Sequence, residues 1–120
     1  MKKTKNAFVF AVQGLQYAFV NERNFRIELF CAVVVCIIGN ALNISSIEWL
    51  VVIMNIGLVL SAELINTAIE KLCDATTKEL NPTIKIIKDV AAAAVLLVAF
   101  VAFICALIIF IPSVLKFINQ

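Results

Sequence analysis

A stripe of polar side chains along one apolar stretch holds the residues best suited to chemistry. Glu63 lies inside the run Ile56-Gly57-Leu58-Val59-Leu60-Ser61-Ala62-Glu63-Leu64-Ile65, and Asn66, Thr67, Glu70 and Asp74 follow it. On a helix turning about 100° per residue, these five fall within about 60° of one line. Carboxylates on a greasy helix are costly in lipid, and acids inside membranes mark ion, proton or substrate sites. No lysine adjoins Glu63, so its charge has no neighbour to answer it. The stripe therefore points to a helix that carries catalysis, an ion or a proton.

The elements that must hold this stripe are membrane helices. The chain has 120 residues, is 63% hydrophobic and has a mean hydropathy of +1.06. Soluble domains average about 45–50% apolar, and so small a core cannot hide this much apolar surface. Residues 6–20 read as an amphipathic helix, with Phe8, Val12, Leu15 and Phe19 on one face and Asn6, Gln13 and Tyr17 opposite. Such a helix suits a membrane surface; an ordinary packing helix has the same periodicity. A charged hinge over 21–28 leads into a first span at about 25–43, with Arg26 and Glu28 near the interface. Residues 43–46 make a tight turn, and a second span runs over about 47–70, with Trp49 at aromatic-belt depth. Residues 71–89 read as a polar connector in which Asn81 and Pro82 start the third helix as N-cap and first helical residue. The 22 uncharged residues 90–111 form the third span, with Pro112 and Lys116 at its exit. The expected fold is a single all-α membrane domain over 1–120, a surface helix plus three spans.

Charge and composition narrow the function. The net charge of +2 argues against a nucleic-acid footprint. Nine of the ten basic residues, Lys2, Lys3, Lys5, Arg23, Arg26, Lys71, Lys78, Lys85 and Lys88, fall on one side of the expected membrane, against Lys116 alone. The positive-inside rule then puts the N-terminus and the 71–89 segment in the cytoplasm. The opening Met1-Lys2-Lys3 resembles a signal peptide, but an amphipathic stretch follows and no cleavage is expected. There is no histidine, which removes the commonest zinc partner and every His-based mechanism, and the four cysteines form no CxxC pair and read as packing residues. No glycine-rich phosphate cradle occurs, and the chain has only three glycines.

That topology gathers the acids at one membrane face: Glu22 at the mouth of the first span, Glu63 and Glu70 in the second, Asp74 beyond it, and Lys88 and Asp89 at the entry to the third. Carboxylates plus a lysine are what a Mg²⁺-nucleotide site needs, since Mg²⁺ takes hard oxygens and keeps substrate phosphates while lysine adds positive charge. Taken singly, Glu22 and Arg26 are also an ordinary i,i+4 pair, Lys88 and Asp89 a solvated helix start, and Glu79 plain loop charge.

The run Glu63-Leu64-Ile65-Asn66-Thr67-Ala68-Ile69-Glu70 with Asp74, followed by Lys88-Asp89-Val90-Ala91, resembles the bacterial integral-membrane diacylglycerol kinase family, which includes undecaprenol kinases. Asn21-Glu22 and Phe25-Arg26 extend the resemblance over nearly the whole chain. It implies a trimer that uses Mg-ATP to phosphorylate a lipid hydroxyl at the cytoplasmic face of a bacterial inner membrane. It also implies Glu63 as general base, Asn66 as orienting residue, and Glu22 and Glu70 as Mg²⁺ ligands. Lys88, Asp89, Glu79, Asn81 and Phe10 would contact nucleotide, and Gln16, Arg26 and Glu63 the lipid. Three positions depart from the pattern: Asn81 where the family often has His, alanines over 91–94 where Gly or Ser is usual, and Phe10 where some members have Tyr. The segments around Arg23, Trp49 and Asn66 look nearer the undecaprenol-type members. Two other classes compete: a proton-coupled exporter built on Glu63, and a non-enzymatic membrane scaffold. The exporter gives no joint role to Glu22, Glu70, Lys88 and Asp89, and the scaffold gives none to the Asn66 and Glu70 spacing.

Overall fold

In a computed structural model, which describes residues 3–77 and 79–120, the chain is almost wholly helical. Met1, Lys2 and Lys78 lie outside the described residues, as do the side chains of Lys3, Thr4 and Lys5. The elements are α1 (Lys3–Asn21), α2 (Arg23–Ala41), α3 (Ser46–Thr76) and α4 (Pro82–Ile118). Helices α2, α3 and α4 are each long and apolar enough to cross a membrane. In hydrocarbon every backbone polar group needs an internal partner, which is why stretches rich in Val and Ile still form helices here.

Local chemistry sets most of the ends. Asn43 takes a left-handed backbone (φ 53), which Asn tolerates better than most residues, and this reverses the chain after α2. A capping box opens α3: the Glu48 N–H donates to Ser45 Oγ, and the Ser45 N–H donates to Glu48 Oε1. Asn81 caps α4, its Oδ1 accepting from the N–H groups of Thr83 and Ile84, with Pro82 at the first turn.

Two boundaries differ from the sequence reading. Helix α3 continues to Thr76, so Lys71 and Asp74 are helical rather than part of a connector. At 31 residues it is about 46 Å long, more than a core of about 30 Å requires, so its polar end projects beyond the apolar layer. Helix α4 runs through Pro112 to Ile118. Proline removes one backbone donor there, and the Ser113 hydroxyl donates to the Ile109 carbonyl in the same turn.

Packing is thin, as expected for a chain that uses lipid as solvent. Helices α3 and α4 pack most extensively, with α2 on α3 and α1 on α2. Near the 43–45 turn, Ile44, Val52 and Ile109 form a buried cluster flanked by Trp49 and Phe110. Gly39 lets the Trp49 ring lie against α2; a Cβ there would sit 3.1 Å from Trp49 Cη2 and 3.1 Å from Ile44 Cδ1. The apolar face of α1 is different. Phe8, Val12, Leu15 and Phe19 are all exposed, so this face is not spent on packing within the chain. Among the described side chains of α1, only Ala18 is closely buried.

Candidate active site

The stripe on α3 turns inward at Glu63, Asn66 and Thr67, while Asp74 at its far end is exposed. Those three are the buried polar residues among those described, with Glu63 only 3% exposed. Glu70 is half-buried one turn later. Asn66 Nδ2 donates to Glu70 Oε1 at 3.4 Å, a long bond that still couples the two side chains. Glu70 and Glu22 both lie close enough to Glu63 to act on it electrostatically. The acids that sequence spacing placed at one membrane face are therefore neighbours in space.

Glu22 reaches the group from the corner between α1 and α2. Its backbone is extended (φ −112, ψ 107), and its side chain makes no capping bond, so the carboxylate is left for other work. The corner is clasped by Arg26. Its Nη1 donates to the carbonyls of Phe19 at 2.8 Å and Val20 at 2.9 Å. These are carbonyls of the last turn of α1, which α-helices leave unpaired and slightly negative. The Glu22 N–H also bonds the Ala18 carbonyl at 2.9 Å. A third tie joins α1 to α3: Lys71 Nζ sits 5.6 Å from the Tyr17 ring centroid, within cation–π range.

One acid escaped the sequence reading. Glu28 on α2 also interacts electrostatically with Glu63. The signal was present: Glu28 follows Ile27 and precedes an apolar run, as Glu63 does. An assignment to the interface hid it.

Three buried polar atoms here have no protein partner: Glu28 Oε1, Asn66 Oδ1 and Thr67 Oγ1. Buried polar atoms are normally paired, so these three are open to a partner from outside the chain. The chemistry of the donors suits Mg²⁺ carried by a nucleotide. Among the described residues no three acidic, His or Cys side chains form a ready cage for an ion. Two carboxylates, Glu22 and Glu70, completed by phosphate oxygens are the arrangement Mg²⁺ commonly uses.

The polar ends of α3 and α4 meet beside this group. Lys88 Nζ donates to Asp74 Oδ1 at 2.6 Å, and Lys85 Nζ to Asp89 Oδ2 at 2.6 Å. Asp74 and Lys88 lie beyond the apolar spans. The hydrogen bond from Lys88 holds the Asp74 carboxyl below its ordinary range, and the same bond raises Lys88. Both therefore stay charged near neutral pH. Asn81 spends its side-chain oxygen on capping α4, and Glu79 is exposed with its N–H on Thr77 Oγ1. Phe10 and Gln16 are exposed on α1, and Arg26 is engaged at the corner.

Below Glu28 a cavity of about 340 Å³ opens between α2, α3 and α4. Val35, Asn55, Val59, Ala102 and Phe103 are among its lining, which is almost wholly apolar. Its size falls at the small end of ligand pockets.

Comparison with known proteins agrees with this architecture. The family described as prokaryotic diacylglycerol kinase matches residues 9–110. An undecaprenol kinase of Bacillus subtilis is 39% identical over 89% of this chain and 87% of its own length. A diacylglycerol kinase of Synechocystis is 38% identical over 92% of this chain and 63% of its own length. A diacylglycerol kinase of Escherichia coli is 32% identical over 75% of this chain and 74% of its own. With three membrane-length helices and a buried Glu63 beside Asn66 and Glu70, this chain belongs to the prokaryotic diacylglycerol kinase family and is a lipid kinase.

Proposed function

We propose that this kinase transfers the γ-phosphate of Mg-ATP to the hydroxyl of undecaprenol, with diacylglycerol as the alternative acceptor. The observation that carries the reading is the convergence of Glu22, Glu28 and Glu70 on buried Glu63, with three unpaired polar atoms alongside. Glu63 accepts the proton of the lipid hydroxyl as that oxygen bonds the γ-phosphorus and the bond to the ADP oxygen breaks. Asn66 orients Glu70 through their hydrogen bond. Glu22 and Glu70 hold Mg²⁺, which when bound offsets the charge of the phosphate oxygens. Lys88 contacts the phosphates, with Asp89, Glu79, Asn81 and Phe10 around the nucleotide. Phosphoryl transfer needs chiefly this positioning and charge stabilisation.

The lipid enters past α1, with Gln16 along its approach and Arg26 holding the corner beside it, and its first chain segment fills the cavity that Glu28 lines. An apolar cavity of this size suits a hydrocarbon chain, and the match to an undecaprenol kinase over 87% of that protein's length favours a polyprenyl alcohol. The protein sits as a multi-pass chain in a bacterial inner membrane. Nine of ten basic residues put the N-terminus and the α3–α4 connector in the cytoplasm, where ATP is. A homotrimer is the assembly the family resemblance implies, and the absence of any fully buried large side chain among the described residues leaves helix faces open for it.

The test incubates purified protein with labelled Mg-ATP and, separately, undecaprenol, diacylglycerol and a short alkyl alcohol. The reading predicts label in undecaprenyl phosphate. Label in phosphatidic acid alone overturns the polyprenol assignment, and no label in any lipid overturns the mechanism.

A further inference from the structure

Two ion pairs occur among the described residues, and only one of them joins two helices. Lys88 on α4 grips Asp74 on α3 at 2.6 Å, fourteen residues apart in sequence. Asp74 stands one turn beyond Glu70 on the face that carries Glu63, so the pair lies at the rim of the acidic group. We infer that Asp74 is a positioning residue that acts through Lys88: it holds the ammonium at the mouth of the site and gives it up when a nucleotide phosphate arrives. The inference rests on the reading of Lys88 as a phosphate contact.

Three features support the exchange. A lysine ammonium has three donors and no acceptor, so a carboxylate oxygen and a phosphate oxygen are alternative partners. Both side chains reach water, at 37% exposure for Lys88 and 62% for Asp74, and exposed pairs are weak enough to part readily. Cys73, next to Asp74 in the chain, and Ala91, about one turn after Lys88, are both closely buried, so α3 and α4 are packed where they carry the two exposed charges. Asp74 is thus a stand-in for the phosphate. While the site is empty it answers the lysine charge and keeps a flexible four-carbon stem pointed inward. On binding it becomes a competitor that the phosphate displaces.

The sign of the effect follows. Asp74→Asn removes the competitor and its negative charge near the incoming phosphate, so nucleotide affinity should rise. An exposed pair supports a change of up to about fivefold. The experiment measures the dissociation constant of a non-hydrolysable ATP analogue with Mg²⁺ on purified protein in lipid nanodiscs, for wild type, Asp74→Asn, Asp74→Glu, Lys88→Ala and the double variant Asp74→Asn/Lys88→Ala. The KM values for ATP and lipid are measured alongside. The inference predicts tighter analogue binding and a lower KM for ATP in Asp74→Asn, an unchanged lipid KM, near wild-type behaviour in Asp74→Glu, and no effect of Asp74→Asn once Lys88 is alanine. Weaker or unchanged binding in Asp74→Asn, with Lys88→Ala still weakening it, overturns the exchange alone. Unchanged binding in Lys88→Ala overturns the phosphate role of Lys88 and the exchange with it.

Discussion

Arg26 offers a sharp division between two roles. The resemblance gives it to the lipid, yet in the structure its guanidinium clasps the end of α1 through the Phe19 and Val20 carbonyls at 2.8 and 2.9 Å. Removing the side chain, as in Arg26→Ala, should therefore loosen the corner that carries Glu22. Hydrogen bonds to a charged group contribute roughly 1.5–3 kcal/mol when well formed, and a cation at a helix C-terminus about 0.3–1 kcal/mol. Arg26 is exposed, so solvent screening brings the pair of bonds down to about 1–2 kcal/mol. If all of that is expressed as lost placement of Glu22, the Mg²⁺ needed for half-maximal rate rises about five- to thirtyfold. The assay is the initial rate of lipid phosphorylation against free Mg²⁺ at fixed ATP, with a lipid titration in parallel. Arg26→Lys keeps the charge but not the fixed fork, so it should fall between wild type and alanine. A raised KM for lipid with an unchanged Mg²⁺ requirement would refute the clasp and return Arg26 to the substrate.

Further expectations concern the metal and the outer turn. Glu70→Gln, which leaves the shape but removes a ligand charge, should raise the Mg²⁺ requirement at least tenfold while the chain still inserts; metal titration of the rate reads this out, and an unchanged curve would remove Glu70 from the metal. Gly39→Val should lower stability by about 1–3 kcal/mol, because a Cβ already meets Trp49 and Ile44 at 3.1 Å and two methyls have nowhere to go. Denaturation followed by Trp49 fluorescence, from the only tryptophan in the chain, checks it; wild-type stability would show that the ring shifts freely.

The amino-acid sequence carried the helices more fully than the contacts between them. Hydropathy and the Asn81-Pro82 start were enough to find three membrane-length helices and a fourth helix ahead of them. The end of α3 was not legible, because Lys71 and Asp74 read as connector residues although nothing in their propensities stops a helix. The Ser45-x-x-Glu48 capping box stood in plain view and went unused. At the site, helical periodicity predicted a shared face for Glu63, Asn66, Thr67 and Glu70, and burial of the first three follows that line. Glu28 was legible as an acid heading an apolar run, whereas the Arg26 clasp and the Lys88–Asp74 pair were out of reach. Those two contacts depend on how one helix sits against another, and periodicity within a single helix carries no such information.

The central claim is that Glu63 takes the proton of the lipid hydroxyl. Its most direct measurement is transfer of labelled γ-phosphate to undecaprenol by Glu63→Gln, with binding of a Mg²⁺-loaded ATP analogue measured on the same sample. Loss of a positioned general base predicts a fall of about 10²–10⁴ in the rate of transfer with analogue binding retained. Wild-type transfer by that variant would contradict the claim.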